Sequence, residues 1–355
     1  MVNKIELGSE FNISLNNLQI VDDNLFTYLN NYNVQWYDYG RTAIRQIPVP
    51  AGKKILLPEF ICESVVSCFK KDLVSFYRID DEFYIDVDSL LDKINDSVGC
   101  IYITHYFGFL QKTGDLEIIK KVAVEHGITI IEDTTQSLFS DHQLYGDYAI
   151  SSIRKWMAVP MGGILYTTGE EQKLPEISCY QTNADNTKAY GMVLKDMFLK
   201  NGYDTNLKYR EIFVKSEDNI NNIKDICLIS DFAKFLIECE SIRALIDKRK
   251  SNVLKLSDGL GKIGINGIRK FDMLECPLVY PLRVKNRDDF RRYLMDNRIY
   301  CAIHWPFDGF KPEERPNGIY NAKTLISLPV DQRYGDKEIS YLLDVISKYG
   351  GELSF

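Results

Sequence analysis

Four hydrophobic runs, Lys54–Pro58, Leu73–Tyr77, Cys100–Thr104 and Ile128–Asp133, alternate with stretches of helical spacing through the first half of the chain. Val65, Val66 and Phe69 share one helical face between the first two runs. Leu116, Ile119, Val122 and Ala123 share another over Asp115–His126, between the last two. Strand, helix and strand in repetition close into a mostly parallel sheet covered by helices on both faces. In such a sheet ligands bind beyond the carboxyl ends of the strands. His105, Asp133 and, after one more strand-like segment, Lys155 stand at such ends.

With 355 residues the chain is long enough for that layered domain and a second one. The expected division is a large domain over 1–240 and a smaller α/β domain over 241–355. Within the first, 170–224 reads as a polar, insertion-like excursion rich in Asn and Lys, with one amphipathic piece (Tyr190, Val193, Leu194, Met197, Phe198). Asp231–Leu256 has the stripe of one long helix, through Phe235, Cys239, Ile242, Ile246 and Val253. Beyond it the pattern predicts strands over Leu278–Leu282 and Tyr300–His304, and helices over Arg287–Asp296 and Lys337–Lys348.

Several function classes fall away. The formal charge is -7, from 43 basic and 50 acidic residues without long runs of one sign, which argues against a nucleic-acid partner. No apolar run approaches membrane-spanning length and the first residues lack a signal-peptide core, so a cytoplasmic protein is expected. The eight cysteines are scattered without a C-x-x-C pair, and the four histidines lack ligand spacing, so no metal is expected. Gly259–Gly264 satisfies G-x-G-x-x-G, but it follows a helix rather than a strand and reads as a helix stop.

Asp133 and Lys155 remain. A pyridine cofactor used as an electron sink needs an acid against its ring nitrogen, a lysine for its aldehyde and donors for its phosphate. Asp133, Lys155, and Thr42 with Ser152 supply these in chain order, and Gln136 stands within reach of a ring hydroxyl. Taken singly, Asp133 reads as a helix cap, Lys155 as a surface lysine, and Ser151 and Ser152 as turn residues. Arg154 and Trp156 read as packing residues beside the lysine, and His304 as a structural histidine.

The motifs together resemble the DegT/DnrJ/EryC1/StrS family of pyridoxal-phosphate-dependent aminotransferases. Ile131–Ser137 is similar to its E-D-x-x-Q segment and Thr104–Gly108 to its V-H-x-Y-G stretch. Gly146-Asp147 with Ser152, Lys155 and Gly162-Gly163 matches its lysine block. Gly40–Ala43 resembles its phosphate turn, and Ile326–Val330 its closing L-S-L-P. The resemblance implies an aspartate-aminotransferase-like (fold type I) three-layer domain plus a smaller C-terminal α/β domain, assembled as a homodimer. It implies pyridoxal 5′-phosphate held by Lys155, with Asp133 on the ring nitrogen, Gln136 on the ring hydroxyl, and Thr42, the Ala43 amide and Ser152 on the phosphate. The implied substrates are an amino donor such as glutamate and a keto-sugar acceptor, nucleotide-linked, in surface polysaccharide or secondary-metabolite synthesis. A non-catalytic relative and a non-sugar substrate are the alternatives. The chain departs from the family in its Ser152–Lys155 spacing, which leaves Ser151 as a rival phosphate ligand. It also lacks a recognisable G-Y-N-Y-R segment, and either Phe60 or Cys62 covers the ring.

Overall fold

A computed structural model describes residues 5–353 apart from 17, 169–181, 203–205, 222–225 and 306–314. In chain order the elements begin with β1 (Leu7–Gly8), α1 (Leu25–Tyr28), β2 (Asn33–Tyr37), α2 (Gly40–Arg45), β3 (Lys54–Pro58), α3 (Glu63–Val66), β4 (Val74–Tyr77) and α4 (Val87–Leu91). Then come β5 (Val98–Thr104), α5 (Thr113–His126), β6 (Thr129–Asp133), β7 (Tyr148–Ser152), β8 (Gly163–Thr167), α6 (Thr182–Asn201), α7 (Asn206–Asn221) and α8 (Asp231–Glu238). The chain closes with α9 (Ile242–Lys262), β9 (Tyr280–Arg283), α10 (Arg287–Asp296), β10 (Ile299–Tyr300), α11 (Pro316–Thr324), β11 (Leu325–Leu328) and α12 (Asp336–Ser347).

Seven strands make one sheet in the order β2-β8-β7-β6-β5-β3-β4. From β4 to β7 the pairs are parallel, and β8 runs antiparallel to both of its neighbours. The mostly parallel sheet is therefore what the hydrophobic runs form. Ile55, Leu57, Tyr102, Ile131 and Ile150 join one apolar cluster, while Leu56, Ile101, Ile103 and Ile130 join another. Successive side chains of a strand face opposite sides, so both faces are covered. That double covering is why the runs read as continuously apolar.

Outside the sheet several expectations are corrected. The long helix over 231–256 is two helices, α8 and α9. The Ser241 side chain accepts the Ala244 N–H and starts the second one, which breaks a stripe that otherwise looks continuous. The described part of the 170–224 excursion is a helical hairpin, α6 and α7. Leu194 and Phe198 pack on Tyr209, whereas Tyr190 and Met197 stay exposed. The helix expected near 62–69 is a single turn, and the strand expected over 300–304 is only β10, paired with β1. Of the G-x-G-x-x-G glycines, Gly259 and Gly261 lie within α9, and Gly259 serves packing. A Cβ on Gly259 would stand 2.3 Å from a Leu343 methyl, and Gly264, at φ +77°, follows the helix end.

Helix α9 joins two cores. Ile242 and Leu245 pack with Trp156 and Leu236; Val253, Leu256 and Leu260 pack with Leu282, Ile326, Leu328 and Ile339. Leu7, from the far end of the chain, belongs to the second core and Leu278 to the first. No helix among the described residues is long and apolar enough to cross a membrane. The seven described cysteines are free thiols, and Cys179 lies outside the described residues.

Gly163 allows β8 to meet the turn that feeds α2. A Cβ there would stand 2.2 Å from the Tyr39 carbonyl carbon. Gly163→Ala is expected to lower the unfolding free energy by about 2 kcal/mol, read by urea denaturation, and to displace that turn.

Candidate active site

Parallel pairing sets Thr104 of β5 opposite Asp133 of β6, and Asp133 opposite Ile150 of β7. The carboxyl ends of these strands, with the mouth of α2, enclose a cavity of about 280 Å³. Gly40, Arg41, Thr104, Asp133, Gln136, Ser152 and Lys155 all line it. Lys155 sits at the end of a one-turn 3₁₀ segment, Ile153–Lys155, with its side chain exposed to this space.

Asp133 is buried at the floor. Its Oδ2 accepts the Tyr102 hydroxyl at 2.8 Å and its Oδ1 accepts the Thr135 N–H at 2.8 Å. Burial pushes its pKa up against those hydrogen bonds, so a positively charged partner in the cavity would be favoured. Gln136 is held by its oxygen: its Oε1 accepts the Phe107 N–H at 2.6 Å, and the side chain lines the cavity. The Thr104 hydroxyl, on the same wall, is buried with no hydrogen-bond partner. A buried hydroxyl without a partner is costly unless a ligand meets it.

At the other end Ser152 lines the cavity, while Ser151 is buried behind it with its hydroxyl toward the Thr134 carbonyl. Thr42 and Ala43 lie one step deeper than expected. Their N–H groups both bond to the Tyr39 carbonyl, at 3.0 and 3.2 Å, and the Thr42 side chain hydrogen-bonds Asp38. Gly40 and Arg41 stand at the mouth instead, because Tyr39 rather than Thr42 occupies the cap position. Cys62 lines the cavity; Phe60 lies fully buried behind it, packed on Trp305 with ring centroids 5.1 Å apart.

Residues 71–346 match the model of the DegT/DnrJ/EryC1/StrS aminotransferase family. The chain belongs to this family. Its fold is shared by the sugar aminotransferase CalS13 from Micromonospora echinospora, at 16% identity and a TM-score of 0.62, over 88% of this chain and 86% of that one. The putative sugar aminotransferase Spr1654 from Streptococcus pneumoniae, in its PMP form, gives 15% identity and a TM-score of 0.65 over 91% and 87% of the two chains. A family member from Brucella abortus gives 15% and 0.64 over 92% and 88%. A DNA polymerase of Methanocaldococcus jannaschii is 28% identical over 137 residues, 38% of this chain; the chain spans 8% of that protein's length, too little to bear on activity. Spr1654 is described in a PMP form and in a PLP form, that is, with the aminated and the aldehyde form of pyridoxal phosphate. A buried acid, an anchored amide, an unmet hydroxyl and a lysine around one cavity suit that cofactor.

The structure adds residues that sequence reasoning assigned elsewhere. Arg154 lines this cavity and the next, with its guanidinium 5.2 Å from the Tyr39 ring centroid and 3.0 Å from Glu217 of α7. Glu217 and Ile220 therefore bring the hairpin to this cavity. Glu217 also bonds the buried Lys188 at 3.0 Å, and Lys188 reaches Glu10 at 3.0 Å. His304 lines both cavities, with its Nδ1 2.8 Å from the Ser327 hydroxyl. Burial and the nearby Lys155 charge push its pKa down to about 3, so the ring is neutral at the site.

Behind Asp133, Glu132 is buried among histidines. Its Oε1 lies 2.9 Å from His105 Nε2 and 3.1 Å from His142 Nε2, and its Oε2 accepts the Tyr145 and Gly146 N–H groups at 2.7 Å each. The three side chains are close enough to suggest a metal site. His105 Nδ1, however, accepts the Gln111 N–H at 3.1 Å, so the ring's proton sits on Nε2 and points at Glu132. That nitrogen has no lone pair to give. Both nitrogens of His142 face acceptors, Glu132 and the Ser140 carbonyl, which requires the imidazolium form. Burial opposes its charge, but the Glu132 carboxylate outweighs burial and raises the pKa. The stability this gives is complete below the unfolded value of about 6.5 and is lost as pH rises through the folded one. His142→Gln should therefore remove a stability term that is full below about pH 6.5 and fades as pH rises above it, at no more than about 1.4 kcal/mol per pH unit. Paired chemical denaturation of the two proteins across that range measures it.

Proposed function

We propose that this aminotransferase moves the amino group of an amino acid, glutamate foremost, to a keto-sugar carried on a nucleotide, in surface polysaccharide or secondary-metabolite synthesis, and that it works as a homodimer. One observation carries the acceptor's chemistry. A second cavity, of about 520 Å³, shares Arg154, Lys155, Leu278 and His304 with the cofactor space. Its wall holds Arg154, Lys155, Arg210, Arg291 and Arg333 against the carboxylates Glu10 and Asp331. In a chain of net charge -7 this is a local reversal of sign. Arg291 has no ion pair or hydrogen bond among the described residues, and its Nε is buried without a partner. Guanidinium groups bind phosphate oxygens through paired N–H donors, which suits the diphosphate of a nucleotide-linked sugar. Solved structures sharing the fold are named as sugar aminotransferases, which supports the same class.

The cofactor supplies, when bound, an electron-poor ring that stabilises negative charge developing at the donor's Cα. Lys155 Nζ holds its aldehyde. Asp133 would hold the ring nitrogen protonated, and Gln136 would meet the ring hydroxyl. Ser152, with the Gly40 and Arg41 turn, takes the phosphate, while Thr42 and Ala43 brace that turn through the Tyr39 carbonyl. Once free, Lys155 Nζ would be the base placed to take a proton from the donor's Cα and to give it back. His304, being neutral, adds no positive charge beside the lysine. The acceptor then enters the same space, so the two halves give ping-pong kinetics.

Purified protein should be yellow, and glutamate alone should convert its absorbance to that of the aminated cofactor. Lys155→Ala should lose the adduct that borohydride traps on the native lysine, read by peptide mass spectrometry. A screen of nucleotide-linked keto-sugars against the aminated enzyme identifies the acceptor; failure of every anionic acceptor, with turnover of a neutral one, would reject the nucleotide-linked reading. Arg291→Ala should raise the acceptor KM by about tenfold, as expected for a lost charge-assisted contact, and leave the glutamate half-reaction unchanged. Steady-state kinetics at varied acceptor separates the two.

A further inference from the structure

The residue after Lys155 is held from an unexpected direction. The Trp156 carbonyl accepts two side-chain donors, Gln332 Nε2 at 2.7 Å and Arg249 Nη2 at 3.3 Å. Arg249 lies on α9, and Gln332 follows β11. The two are tied together: Gln332 Oε1 accepts Arg249 Nε at 2.9 Å, and Gln332 Nε2 also reaches Glu240 Oε1 at 3.1 Å. Arg249 is fully buried, its guanidinium 4.7 Å from the Trp156 ring centroid. Its other hydrogen bonds run to the Pro277 and Leu278 carbonyls, at 3.2 and 2.9 Å.

None of those acceptors is a carboxylate. Asp331 and Glu240 favour its charge from a distance, but burial outweighs them, so the guanidinium is costly to hold there and an apolar side chain would pack α9 against the turn at less expense. What the guanidinium and amide add is direction, since planar donors fix where one carbonyl points. On the other side, the Trp156 indole N–H donates to the Thr135 carbonyl at 2.9 Å, and the Thr135 N–H bonds Asp133 at 2.8 Å. One bonded path thus runs from α9, through the peptide that follows Lys155, to the acid at the cavity floor.

We propose that Arg249 and Gln332 are positioning residues for Lys155: by clamping the Trp156 carbonyl they set the 3₁₀ turn that aims the lysine amine across the cavity. They touch neither cofactor nor substrate. The proposal rests on Lys155 being the amine that holds the cofactor. Gln332→Met preserves side-chain length and removes both of its hydrogen-bonding functions.

Two readouts test it. In cofactor-free protein, the rate of Lys155 acetylation by acetic anhydride is followed across a pH series by peptide mass spectrometry. In cofactor-loaded protein, the rate at which glutamate alone converts the absorbance is measured at varied glutamate. The Gln332→Met protein should fold, acetylate Lys155 with a displaced pH profile, and convert roughly ten- to a hundredfold more slowly at saturating glutamate, with the half-saturating concentration unchanged. A purely structural role would lower the melting temperature and leave both readouts alone. Folded Gln332→Met protein with wild-type values in both overturns the proposal. Should that variant not fold, Arg249→Lys, which keeps the charge and loses the planar fork, is read by the same criteria. Cofactor loading must also protect Lys155 of the wild-type protein from acetylation; absence of protection overturns the reading of Lys155 itself, and the proposal with it.

Discussion

Parallel register between β5, β6 and β7 places Thr104 beside Asp133 and Asp133 beside Ile150, with Ser152 two residues further along the third strand. Once those strands pair, an acid, a hydroxyl and the start of the lysine turn must emerge on one edge. A shift of one residue would turn each side chain to the opposite face of the sheet. Asp133 would then exchange places with Glu132, and the histidine pair would face the cofactor space. The apolar side chains that fill both faces, Ile101 and Ile103 on one and Tyr102 and Ile131 on the other, prevent that slip. The site's geometry is thus held by burial far from it.

Much of this was legible because a polar residue that ends a hydrophobic strand has few reasons to be there. Asp133, Gln136, Ser152 and Lys155 all lie where the strand rhythm puts them. Arg154 was not legible. A 3₁₀ turn does not alternate its side chains as an extended segment does, so the neighbour of Lys155 enters the cavity with it. Glu217 and Ile220 were hidden in a polar stretch whose spacing gave no clue that a hairpin folds back over the sheet edge. Tyr102 looked like any aromatic in a strand, and only the paired register reveals that its hydroxyl meets Asp133. The break between α8 and α9 was concealed because Phe235, Cys239, Ile242 and Ile246 keep helical spacing across it.

Glu132 and Asp133 show how neighbours in sequence acquire opposite electrostatics. Two histidine hydrogen bonds outweigh burial at Glu132 and hold its pKa well below the carboxylate range, whereas burial wins at Asp133 and raises it. The difference comes from what stands behind each face of the sheet. Glu132 faces a ready-made cation, and Asp133 faces a cavity that awaits one.

The arginine-rich wall beyond Lys155 has a consequence for the end of the cycle. Transamination turns a neutral ketone into an amine, which takes up a proton in water. An acceptor of the proposed anionic class would arrive carrying only the negative charge that the wall attracts and would depart with a new positive charge close to Arg154 and Lys155. At separations of a few ångströms, like charges near a protein surface repel by several kcal/mol before screening. The same wall that would gather such an acceptor would therefore loosen its grip once the chemistry is done. Release of the proposed product would then draw on the charge that the reaction itself creates.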